Sequence, residues 1–131
     1  MFLIEYIAYK GQEFQIEWYY SEDGKSQPLR YYQKLSIKER RKVLMLFRMM
    51  GEIGKIRDKL KFRYEGDKIY AFKPKPHRFL SFFVEGKKII ITNAFWKKQN
   101  KLPTNEKDRA IKCMKSYRAR VNKGIYYEKE E

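Results

Sequence analysis

Residues 69–103, IYAFKPKPHRFLSFFVEGKKIIITNAFWKKQNKLP, constrain the fold more than any other stretch of this chain. Tyr, Phe, Ile and Val crowd three runs, 69–73, 77–84 and 87–96, whereas Pro74, Pro76 and Gly86 fall only between them. Half-buried pleated surfaces favour the first set, and Pro and Gly interrupt sheets, so the pattern predicts a three-stranded antiparallel meander. Basic residues stand at its ends: Lys73, Lys75, His77 and Arg78 around the first turn, and Lys97, Lys98 and Lys101 where the last run exits. The second turn returns the third strand towards the first turn. The two groups therefore meet at one end of the sheet and predict a cleft for a phosphate-bearing partner such as RNA.

The whole chain shares this bias. Its 31 Lys and Arg exceed its 16 Asp and Glu by 15 charges, an excess that attracts polyanions, nucleic acid first and an acidic protein second. A disordered basic tail would carry few aromatics; here they make up 17% of the residues and are spread throughout, which places the charge on a folded body. At 131 residues, a single domain spanning 1–131 can bury a core without staples. The lone Cys113 leaves no internal disulfide and no cysteine-based zinc site, in keeping with a reducing cytoplasm. No run reaches the roughly 18 apolar residues of a membrane span. The opening MFLIEYIAYKG, with Glu5 inside it and no basic start, does not read as a signal peptide.

Taken in order, Phe14, Ile16 and Trp18 alternate with polar neighbours as in a strand with one buried face, and residues 1–13 read as an extra strand or a leader. A turn at 21–27 precedes Pro28, which can open a short helix to Tyr32. Ser36 and Glu39 form a capping-box pattern ahead of a longer helix. Val43, Leu44, Phe47 and Met50, widened by Leu46 and Met49, make its apolar stripe, and Gly51 is placed to end it. The opposite side carries Lys38, Arg41, Lys42 and Arg48, a solvated face or, through Arg41 and Lys42, a nucleic-acid contact. A basic connector at 51–68 allows a short strand at 60–64, whose lysines guard a sheet edge. After Pro103, Thr104 or Asn105 caps a last helix with Ala110, Ile111, Met114, Tyr117 and Val121 on its apolar side. Lys107, Arg109, Lys112, Lys115, Arg118 and Arg120 form its charged side, and residues 122–131 form an acidic tail expected to fray.

One His and one Cys cannot build the usual zinc or thiol–imidazole sites, and neither GxxxxGK[ST] nor a strand-linked GxGxxG is present. What remains is phosphate chemistry with no metal and no cofactor. RNA cleavage by its own 2′-hydroxyl needs a base for that hydroxyl, cations for the phosphorane and a proton donor for the leaving oxygen. Lysines and Arg78 suit the second role. For proton transfer, histidine is the side chain suited to neutral pH, which singles out His77; a lysine would need a lowered pKa, as crowding among Lys73, Lys75, Lys97 and Lys98 would give. Each has a bland alternative. Arg78 can pair with Glu65 or Asp67, His77 can be structural, and the lysines at 97, 98 and 101 can be a solvated exit, although Trp96 beside them offers a base-stacking face. Trp18 and Phe95 read as core, and Cys113 as a small core or helix-flank residue.

From residues 19 to 117, the order of features resembles the HigB-like branch of the RelE/ParE toxin superfamily, phage-derived members included. NAFWKKQNKLP resembles the branch's Phe-x-Lys-Lys-x-x-Lys-x-Pro signature, carried by Phe95, Lys97, Lys98, Lys101 and Pro103. HRFLSFF is similar to its Tyr-Arg-x-Leu-Tyr-Phe-Phe strand, placing Arg78 on the recurrent arginine, and IYAFK to its Leu-Tyr-Glu-Leu-Arg strand, with Lys73 at the usual arginine. Ala71 stands where the branch commonly has Glu, and His77 where it has Tyr. The resemblance implies a compact α+β, RelE-like fold: a twisted, mainly antiparallel sheet with N-terminal helices on one face and a C-terminal helix. It also implies the toxin of a type II toxin–antitoxin pair, a metal-independent, ribosome-dependent mRNA endonuclease that stops translation. The partners would be mRNA, the ribosome and a HigA-like helix-turn-helix antitoxin, with which it forms a hetero-oligomer. Arg78, Lys73, His77, Lys97 and Lys98 would be catalytic, with Lys75, Trp96, Lys101, Arg41 and Lys42 binding RNA. A ParE-like gyrase inhibitor and a plain basic RNA-binding module are the competing readings.

Overall fold

The computed structural model describes residues 6–98 and 101–127. A hairpin of β1 (Ile7–Lys10) and β2 (Gln15–Trp18) leads into α1 (Gln27–Gln33) and α2 (Ile37–Ile53). There follow β3 (Phe62–Tyr64), β4 (Tyr70–Phe72), β5 (His77–Val84), β6 (Lys88–Trp96) and α3 (Thr104–Asn122). The strands form one sheet in the order β1-β2-β6-β5-β4-β3. The predicted meander is β4-β5-β6, antiparallel throughout, and the predicted edge strand is β3. One pairing departs from the antiparallel pattern: β2 runs parallel to β6, with Gln15 opposite Lys88 and Trp18 opposite Ile91.

The sheet is covered on both faces. Val43, Leu46, Phe47 and Met50 of α2 pack with Ile16, Trp18, Phe72, Phe79, Ile89 and Ile91 on one side. On the other, Ala110, Met114 and Tyr117 of α3 pack with Ala71, Leu80, Phe82, Ile90 and Phe95. Such alternation along each strand is the period-two consequence of the pleat. It also corrects the single buried face expected for β2, because Glu17 turns towards α3 and is buried there. Its carboxylate is satisfied by Gln15 Nε2 and the Tyr127 hydroxyl, each donating at 2.7 Å.

Ser36 and Glu39 form the predicted capping box, but α2 does not stop at Gly51. The helix runs on to Ile53, and Gly54, at φ +86°, caps it in the left-handed conformation. Gly51 is small for another reason: the β1–β2 turn crosses the helix there, and a Cβ at Gly51 would lie 2.6 Å from the Tyr9 ring. Leu44 of the expected stripe is exposed, while Gly51 joins the buried side. Helix α3 is capped by Pro103 without a side-chain hydrogen bond, not by Thr104 or Asn105. Val121 is exposed, and Arg120 moves from the expected charged face into the core. Its guanidinium donates to the Tyr20 carbonyl at 2.9 Å and lies 4.7 Å from the Tyr126 ring centroid.

The expected fraying does not begin at Asn122. Tyr126 is buried and stacks on Tyr20 at 4.3 Å, so the aromatic pair Tyr126–Tyr127 pins the chain back onto the sheet. The acidic end at 128–131 and the start of the proposed leader at 1–5 lie outside the described residues. Where β2 ends, β6 continues with β5 on one side only, and on the other the Gln27 side chain takes the missing strand's place. Its Nε2 donates to the Ala94 carbonyl and its Oε1 accepts from the Ala94 amide, both at 2.8 Å.

Candidate functional site

Register decides which side chains meet. Arg63 pairs with Ala71, Ala71 with Leu80, and Arg78 with Phe95, so these residues share the α3 face. Two positions further along, Glu65, Lys73 and Lys97 fall on that face as well. A bulge at Thr92 completes the arrangement: Leu80 pairs with Asn93 while Ser81 pairs with Ile91. The extra residue reverses the alternation of the last part of β6. Phe95 and Lys97 thereby turn towards α3, and Trp96 turns away.

The result is a cleft of about 480 Å³ between the β3–β6 end of the sheet and the first turns of α3. Six cations line it, Arg63, Lys73, Arg78, Lys97, Lys101 and Lys107, against the carboxylates Glu65, Asp67 and Asp108. Asp67 binds Lys107 at 2.8 Å, and that contact holds its carboxyl below the ordinary range. Arg78 therefore loses one of its two expected partners, and Glu65 acts on it as a nearby charge. Arg78 is only 5% exposed, and its Nη1 donates to the His77 carbonyl at 3.0 Å. Burial pushes the Lys73 ammonium below the ordinary lysine pKa, and Arg78 and Lys97 add to the shift; Nζ donates to the Lys59 carbonyl at 3.1 Å. Lys97 is lowered in the same way, by burial first and then by Arg78 and Lys75.

Of the residues singled out from sequence, Lys73, Arg78, Lys97 and Lys101 come together here. His77 does not. Adjacent to Arg78 in the chain, it faces the other side of the sheet, buried under α1 and α2. There Nδ1 meets the Tyr31 hydroxyl and Nε2 meets Glu39 Oε2, each at 2.6 Å. Both ring nitrogens are thus engaged in joining two helices to β5, away from the cleft. Trp96, paired with His77 across the ladder, is 54% exposed on that same face, with Lys98 Nζ 5.4 Å from its ring centroid. Lys42 and Lys75 line a separate pocket that shares Lys73, and Arg41 is exposed on α2.

Arg63 and Lys107 line the cleft without being singled out in sequence, and Glu65, expected there only as a partner of Arg78, lines it too. Extending the meander's alternation to the strand at 60–64 places Arg63 and, one step beyond its end, Glu65. Lys107 projects from the first turn of α3, where its spacing resembles that of any solvated helix face. No group of three or more His, Cys, Asp or Glu among the described residues is placed to hold a metal ion. Chemically, the cleft can grip a phosphodiester with Arg78 and Lys73, offers Glu65 as a proton acceptor, and holds Lys97 as an acidified ammonium. Residues 30–115 match the model of a family described as phage-derived, Gp49-like proteins. No curated protein matches the chain.

Proposed function

The chain belongs to the phage-derived Gp49-like family, whose members are RelE-like toxins of toxin–antitoxin systems, and from this premise we propose that it is an mRNA endonuclease acting on the ribosome. An antitoxin partner follows from the family; that it is a HigA-like helix-turn-helix protein is part of the proposal. The observation that carries the reading is the cleft itself, in which a buried arginine and lowered-pKa lysines line one cationic space.

Arg78 and Lys73 hold the scissile phosphate. The Glu65 carboxylate accepts the proton of the 2′-hydroxyl, whose oxygen attacks the adjacent phosphorus. Charge that develops on the phosphorane oxygens is met by Arg78 and Lys73, donors already in place and partly shielded from water, which is where such contacts contribute most. Lys97 passes a proton to the departing 5′-oxygen, and its lowered pKa makes it the stronger acid. The products are a 2′,3′-cyclic phosphate and a 5′-hydroxyl. Lys101 holds a neighbouring phosphate. His77, on the other face, takes no part, and the Glu common in the family at position 71 is replaced in this scheme by Glu65, just past the end of the adjoining strand β3.

Induction without the adjacent antitoxin gene should arrest growth and leave messages with new 5′-hydroxyl ends inside coding regions. Arg78→Ala should reduce cleavage by about 10²–10³-fold while the protein stays folded. Full toxicity of a folded Arg78→Ala protein would end the assignment, and DNA-damage signalling without cut messages would point to gyrase instead.

A further inference from the structure

We propose that a second pocket, on the α2 side of Lys73, receives an unpaired nucleobase of the RNA strand whose phosphate lies in the cleft. The inference rests on the reading of that cleft as an RNA site. The pocket measures about 330 Å³ and is lined by Met45 and Leu46 of α2, Leu60, Pro74 and a ring of lysines. Met45 and Leu60 are 61% and 62% exposed, an apolar pair that the core does not use. Around them stand Lys42, Lys61, Lys73 and Lys75, with Asp58 as the single acid. Asp58 is already engaged in its own turn: Oδ1 accepts the Leu60 amide at 2.9 Å, and its carbonyl accepts the amides of Lys61 and Phe62.

An apolar floor within a cationic rim suits a flat, uncharged ring carried between phosphates. The shared wall decides between that and an acidic peptide. Lys73 lines both this pocket and the cleft, so a single strand passing over it places one phosphate against Lys73 and Arg78 and the next base over Met45 and Leu60. Every base presents an apolar face that can cover Met45 and Leu60, and a purine presents the larger one. The pocket would thus favour the larger purine faces next to the cut and bias where the strand is cleaved.

The test uses single-stranded hexanucleotides with 2′-deoxyribose throughout, which cannot be cut, each with one base removed in turn. Fluorescence anisotropy with the full chain should show one position at which removing the base weakens binding about tenfold. In a Met45→Ala/Leu60→Ala protein, verified as folded by its melting curve, the intact strand should bind about tenfold more weakly and that position should no longer matter. Equal binding of all the strands to the unaltered protein, or a base effect that survives in the double variant, overturns the proposal. So does displacement of the intact strand by an acidic leucine-containing peptide in the unaltered protein alone. Cleavage of the all-ribose strand on ribosomes is read separately. A base effect without cleavage leaves this pocket standing and removes the nuclease reading, and cleavage without a base effect does the reverse.

Discussion

On the α1/α2 face of the sheet, His77 is held at both ring nitrogens and Phe79 is packed among Trp18, Tyr31 and Phe47. On the α3 face, one residue away, Arg78 is just as buried but forms no ion pair with a carboxylate among the described residues, and it opens onto a cleft of cations. On the first face the buried imidazole is satisfied at both nitrogens by side chains of the fold itself. The second, at this end of the sheet, gathers six cations against three carboxylates, and burial first, then the neighbouring cations, lower the pKa of Lys73 and Lys97. Structural demands account for the first arrangement. An anion would relieve the crowding of the second and has nothing to relieve in the first, which is the physical contrast between the two faces.

The comparison is broken most sharply through the scaffold. Phe79→Ala removes a fully buried ring with three aromatic neighbours and should cost about 3–5 kcal/mol, read from chemical denaturation. His77→Ala should cost about 1–3 kcal/mol, since it strands the Tyr31 hydroxyl, while cleavage per folded molecule stays within about threefold. A loss of cleavage comparable with that of Arg78→Ala would erase the distinction between the faces. The same contact carries a pH signature. Glu39 is lowered from 4.5 to about 2, chiefly by its hydrogen bond to His77 and then by the Ser36 cap. Its stabilising effect is complete above the unfolded pKa and is lost as pH falls through the folded value. Melting temperature should therefore drop between about pH 4.5 and pH 2 in the native chain, and less steeply in His77→Ala.

Lys97→Ala, inside the cleft, and Lys98→Ala, outside it, sharpen the contrast at finer scale. The first should reduce cleavage roughly tenfold or more and remove the alkaline limb of the rate profile, a limb that in the native chain begins below the ordinary lysine value of 10.5. The second, whose ammonium lies over Trp96 on the opposite side, should change cleavage less than about twofold.

The meander, the capping box and the guarded edge strand were legible because each depends on local pattern: period-two apolar runs, a Ser and a Glu three residues apart, and a lysine-flanked strand. The site was legible only as a neighbourhood. Lys97 and Lys98 are indistinguishable in sequence, and it is the bulge at Thr92 that sends one into the cleft and the other away. Nothing in the run IIITNAF announces it, as a bulge is settled by how two strands fit and not by either alone. Gly51 misled for a related reason. Its spacing marks a helix end, whereas the close passage of Tyr9 requires it, a contact 42 residues distant in the chain. Arg120 looked like one more solvated cation until Tyr20 and Tyr126 closed over it.

The side chain of Gln27 has a consequence for how this protein behaves in company. By answering both backbone groups of Ala94, it occupies the place on β6 where a strand from another molecule would otherwise dock. A six-stranded sheet is thus sealed at an internal gap by one uncharged amide. Its conversion to a carboxylate would set a negative charge against the Ala94 carbonyl and reopen that gap. Chemical ageing at a single glutamine would then register as self-association of copies, with the cleft and the core still intact.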